Sequence, residues 1–140
     1  MRCSKNIHFR KLSSDSQQIE ALIQGFADMA QNKTFLPANT TNDFLAIRPS
    51  GNPITAQGLA GMYDSDDLVI KLSELVKIHR LETNSDWGFA AFTLKEAFSY
   101  KGDLNNDLST YSLIFKKIDG IWNIAWMQRS QGTTDLSTWE

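Results

Sequence analysis

Two apolar runs, Tyr111 to Ile118 and Ile121 to Ser130, flank the dipeptide Asp119-Gly120. Both are rich in β-branched and aromatic residues, and Asp-Gly between such runs is the strongest short-range hairpin signal. The second run carries Trp122, Trp126 and Met127 and stops at a lone arginine, Arg129. Turn length decides which of these side chains share a face, because a one-residue slip flips every one of them. With a two-residue turn at Asp119-Gly120, Trp122, Ile124 and Trp126 lie beside Leu113 and Phe115. With a loop from Ile118 to Gly120 and a bulge at the glycine, Met127 and Arg129 lie beside Tyr111, Leu113 and Phe115. Trp122, Ile124 and Trp126 then join Ile114.

Upstream, Ser14 and Gln17 stand at the spacing of a capping box. Ile19, Leu22, Ile23, Phe26 and Met29 or Ala30 follow at helical spacing, which predicts a long amphipathic helix. Gly25 inside it costs about 1 kcal/mol relative to alanine and marks a close packing approach. Asn32 to Thr41 reads as a polar connector broken by Pro37. Asp43 to Arg48 reads as a short strand, and a short helix is expected from Thr55 to near Tyr63, with Ile54 and Leu59 placed as a hydrophobic staple. Four strands are expected after it: Leu68 to Glu82, Trp87 to Tyr100, Tyr111 to Ile118 and Ile121 to Ser130. The first two exceed the usual five or six residues and must bend through bulges or glycines. Their short polar connections, 83–86 and 102–107, make neighbours antiparallel.

The fold class is therefore α+β: a long N-terminal helix and a short helix packed on a strongly curved, mainly antiparallel sheet, forming a cone with an internal pocket. At 140 residues the chain is one domain that buries roughly 68–70% of its unfolded surface. Residues 1–13 are expected to be a flexible N-terminus, 14–132 the domain and 133–140 a polar tail. Hydrophobic content of 41% with 21% charge is too apolar for disorder. The formal net charge of −2 and scattered basic residues argue against nucleic acid. No apolar run is long enough to span a bilayer, and Met1 to Leu12 has no secretory core. The single cysteine, Cys3, suits a reducing compartment, and the cytoplasm is the expected location.

Helix, short strand, short helix and four long strands ending in Asp119-Gly120, Trp122, Arg129 and Ser130 resemble the nuclear transport factor 2-like superfamily. The resemblance spans Ser14 to Gly132. The segment Asp119 to Ser130 is also similar to the last strand of the association domain of calcium/calmodulin-dependent kinases. That similarity implies that Arg129 lines a carboxylate-binding cavity, which favours the bulged loop. It further implies that Trp122, Ile124 and Trp126 point outward as a dimer interface. Positions matching further cavity arginines of those domains are Leu94 and Leu113. In ketosteroid isomerases, another branch, the carboxylate base position falls on Arg48 and the helix tyrosine on Phe26. That reaction is therefore not expected. Polyketide-cyclase-like relatives use a carboxylate or histidine elsewhere in the cone, which leaves Glu96 and His79 as candidate catalytic groups.

The expected ligand-binding residues are Arg129, Met127, Tyr111 and Leu113, with the aromatics Phe26, Phe44, Tyr63 and Phe92. Arg129 leads because its planar fork suits a carboxylate. No metal is expected: His8 and His79 are the only histidines, and Asp103 to Asp107 lacks the glycine and glutamate of a calcium loop. No glycine-rich loop follows a strand, so no cofactor is expected. The expected partners are an unidentified small molecule, a carboxylate among the candidates, and a second copy of the chain. Three functions follow: a small-molecule-binding domain with an apolar pocket, a cyclase- or isomerase-type enzyme, or a non-catalytic association domain.

Overall fold

The computed structural model describes residues 14–132. Cys3, His8, the N-terminal segment 1–13 and the tail 133–140 lie outside the described residues. Helix α1 (Asp15–Ala27) starts where the capping box predicts: the Ser14 hydroxyl accepts from the Gln17 amide, and the Gln17 side chain accepts from the Ser14 amide. Its buried stripe is Ile19, Ile23, Phe26 and Ala27. Gly25 sits against the Phe35 ring, which a Cβ at this position would strike.

The segment read as a polar connector is not irregular. It holds a 3₁₀ turn (Met29–Gln31) and a short helix α2 (Phe35–Asn39), whose Phe35 and Leu36 are buried. Pro37 falls in the first turn of α2, where its missing N–H costs nothing. Strand β1 (Thr40–Ile47), strand β2 (Pro53–Thr55) and helix α3 (Ala56–Tyr63) follow. Thr55 caps α3 by accepting from the Gly58 amide.

Strands β3 (Leu68–Asn84), β4 (Trp87–Tyr100), β5 (Asp103–Ile118) and β6 (Ile121–Gln131) complete one six-stranded sheet in the order β2-β1-β6-β5-β4-β3. Every pairing is antiparallel except β1 with β6, which is parallel. The long β3 bends through three register shifts against β4. Strand β5 begins eight residues earlier than expected, because Lys101-Gly102 forms a two-residue turn with both φ angles positive. Its first half is too polar to read as a strand.

The terminal hairpin settles the register. Ile118 pairs with Ile121, and Asp119 and Gly120 take φ of 53° and 79°, so the turn has two residues. The expected three-residue loop is not formed. A bulge lies further along, where Ile114 pairs with Trp126 but Phe115 pairs with Ile124, leaving Ala125 unpaired. That extra residue switches the facing, so Trp122 (3% exposed), Ile124 (0%) and Met127 (4%) all enter the core. Trp122 and Ile124 are thus core residues and not an outward interface, correcting that expectation; Trp126 alone stays half-buried on the outer face. Asp15 Oδ1 accepts the Trp122 indole N–H at 3.0 Å and Lys117 Nζ at 3.1 Å, tying the start of α1 to the last hairpin. The indole bond, then Lys117, hold the Asp15 carboxyl below its ordinary pKa.

Candidate functional site

The cone opens where the end of β1, α3, the start of β3 and the end of β4 meet the first half of β5 and the end of β6. A cavity of about 360 Å³ lies there. Its wall is mainly apolar, with Leu59, Met62, Leu68, Ile70, Phe98 and Met127. Such a volume falls within the ~300–1,000 Å³ usual for small-molecule sites.

Strand alternation places the polar groups. On β4, Ala90, Phe92, Leu94 and Glu96 alternate into the interior, all buried. On β5 the same face carries Asp107, Ser109, Tyr111, Leu113 and Phe115. Register sets Glu96 directly opposite Asp107, and Tyr111 opposite Arg129. Two carboxylates facing each other inside a sheet repel. Arg129 relieves this by reaching both: its Nε and Nη2 donate to Glu96 Oε1 at 3.3 and 3.2 Å, and Nη2 donates to Asp107 Oδ2 at 3.3 Å. Tyr111 donates its hydroxyl to Glu96 Oε2 at 2.6 Å, and Gln131 Nε2 donates to Asp107 Oδ2 at 2.9 Å. The Arg129 guanidinium also lies over the Phe98 ring at 5.7 Å.

These surroundings fix protonation. Burial pushes the Tyr111 phenol well above its ordinary range, and the Glu96 charge pushes it further. Tyr63 is raised by the same two causes in the same order. Burial disfavours the Arg129 cation, but Tyr111, Glu96 and Asp107 around it outweigh burial and raise its pKa. Both phenols are therefore neutral hydrogen-bond donors near pH 7, and the guanidinium is a permanent cation.

Of the expected site residues, Arg129, Met127, Tyr111 and Tyr63 line the cavity, and Glu96 joins them. Phe26 and Phe92 instead support Tyr111 from behind: Phe92 stacks on it at 5.5 Å and Phe26 meets it edge-on at 5.2 Å. Phe44 and Leu113 are buried core away from the cavity wall. His79 is brought to the opposite face of the sheet, where its Nε2 lies 2.6 Å from Thr93 Oγ1. Asp107, Gln131 and Arg48 went unrecognised in the sequence as members of one site. Only the alternation around Tyr111, extended backwards, carries a signal for Asp107. Among the described residues no group of three or more His, Cys, Asp or Glu could hold a metal ion. Nor is any described helix long and apolar enough to cross a membrane.

Residues 14–140 match the family described as protein of unknown function (DUF3804), and the chain belongs to it. An NTF2-like protein of unknown function from Prochlorococcus is 44% identical, with 91% of this chain and 100% of that one covered at a TM-score of 0.82. An NTF2-like protein from Cytophaga hutchinsonii is 16% identical, covering 85% and 99% of the two chains at a TM-score of 0.77. A protein assigned as a Ca/calmodulin-dependent kinase II association domain, from Exiguobacterium sibiricum, is 14% identical, covering 89% and 98% at 0.77. No curated protein matches. The fold is that of the nuclear transport factor 2-like superfamily.

Proposed function

We propose that this domain binds a small, largely apolar molecule in the cavity at the open end of its cone. One observation carries this reading. A cavity of about 360 Å³ with a mainly apolar wall holds a preorganised polar cluster, Glu96, Tyr111 and Arg129, in that wall. Few convergent polar groups in an apolar cleft are the ordinary make-up of a ligand site. Binding is favoured over acid–base catalysis because both Glu96 oxygens already accept hydrogen bonds, whereas a general base must be within reach of a substrate proton. His79, the other candidate base, lies on the outer face.

A thermal-shift panel of small carboxylates, aromatic acids and polycyclic ketones tests the reading. A ligand present at a hundred times its Kd adds about 2.7 kcal/mol and raises the midpoint by several degrees. No shift with any class defeats it.

A second reading, self-association through the outer sheet face, has its own support. Phe89, Ile114 and Trp126 are directly opposed across β4, β5 and β6, which makes an unbroken apolar row on that face. Phe89 is 36% exposed and its neighbour in sequence on the same face, Trp87, 53%. We expect a dimer whose native mass falls to that of one chain in Trp126→Glu. A mass that the substitution leaves unchanged rules this surface out.

A further inference from the structure

Charges on the cavity wall are unevenly committed. Arg129 is shared by two carboxylates, so an incoming anion there meets like charges on either side of the cation. Arg48 differs. It follows β1 at the cavity mouth, is half-buried, and makes no ion pair among the described residues. Its Nε donates to the Asn52 carbonyl at 3.3 Å, and its Nη1 lies 3.8 Å from Met62 Sδ, a weak acceptor. Most of the five donors of that fork have no partner among the described residues. Tyr63, on the same wall, also has a hydroxyl with no hydrogen bond there. The uncommitted strong groups are thus donors, and the one carboxylate lining the cavity, Glu96, is engaged on both oxygens.

We propose that Arg48 is the specificity-determining residue of the cavity and that the ligand is an amphipathic monocarboxylate. Its carboxylate is held by the Arg48 guanidinium, and its apolar body lies along Leu59, Ile70, Phe98 and Met127. Planar, bidentate recognition of a carboxylate is what an uncommitted guanidinium does best. The volume sets the size: about 360 Å³ holds roughly a dozen non-hydrogen atoms at the ~30 Å³ that each water occupies in the liquid. A saturated ten-carbon acid has that many. This inference rests on the cavity being a small-molecule site.

Calorimetric titration of the full chain with decanoate, decan-1-ol and decylammonium separates the two. The wild type binds decanoate at least about tenfold tighter than decanol, as a charge-assisted bond requires. Arg48→Gln loses that preference, weakening decanoate far more than decanol, while Arg48→Lys keeps part of it. Equal affinity for decanoate and decanol, or tightest binding of decylammonium, overturns the carboxylate assignment and leaves the small-molecule site standing. A decanoate preference that survives in Arg48→Gln overturns the role of Arg48. If none of the three chains binds the wild type, the amphipathic monocarboxylate assignment falls, and the small-molecule reading falls with it only where the thermal-shift panel also gives no shift.

Discussion

Arg129→Met should destabilise the fold by about 3–5 kcal/mol, the cost of removing one partner from a buried charge cluster. For a chain of this length that corresponds to a midpoint lowered by roughly 10–20 °C. Glu96 and Asp107 face each other across β4 and β5 and share this one guanidinium. Their side chains are 11% and 9% exposed, and that of Arg129 is 17% exposed, so water does little to screen them. Without Arg129 the two carboxylates are left buried, opposed and uncompensated. Adding Glu96→Gln and Asp107→Asn to Arg129→Met removes both orphaned charges at nearly constant shape. That triple variant should therefore recover at least half of the loss, whereas Arg129→Met alone stays destabilised. Urea unfolding of the three proteins is the measurement. A loss under about 1 kcal/mol in the single variant would put the cluster among exposed ion pairs, whose worth is that small.

What the sequence made legible and what it hid follow from the range of the signals. Helices α1 and α3 were legible because their caps are local: Ser14 with Gln17, and Thr55 with Gly58, lie three residues apart. The Asp119-Gly120 turn was legible for the same reason. The bulge at Ala125 was not, since nothing in the residues around it differs from an ordinary strand. It reverses the facing halfway along β6, so Trp122 is buried while Arg129 still reaches the cavity. Strand β5 hid its first half behind composition. Asp103, Asn105, Asn106 and Asp107 read as a loop, yet the polarity of Asp107 is matched by Gln131 and Arg129 on β6, two and four register positions away. The site is a cross-strand object. Glu96, Asp107 and Arg129 are separated by 11 and 22 residues, and only the β4–β5 and β5–β6 registers bring them together. In the sequence Arg48 stands out only as a position that lacks a carboxylate; its place on the cavity wall depends on how β1 joins β6 in parallel.

Phe26→Ala tests how the helix layer supports that site. Phe26 is 1% exposed and meets both Phe92 and Tyr111 edge-on, with ring centroids 5.9 and 5.2 Å away. Truncating a buried phenylalanine removes its transfer free energy and leaves a cavity, together about 3–5 kcal/mol. Phe26→Leu keeps most of the volume and should cost under about 1.5 kcal/mol. Beyond stability, the alanine variant removes the ring that backs Tyr111, the phenol that donates to Glu96. Tyr111→Phe deletes that hydrogen bond while keeping the ring, at about 1–3 kcal/mol for an acceptor left short of a partner. Because the two changes act on one contact network, their effects should not add: the double variant falls short of the sum by about 0.5–3 kcal/mol. Urea unfolding with an unchanged slope would assign the loss to the native state rather than to a more compact denatured chain. Strict additivity would mean that α1 packs against the sheet without positioning Tyr111, and the cluster would then owe its geometry to the strand register alone.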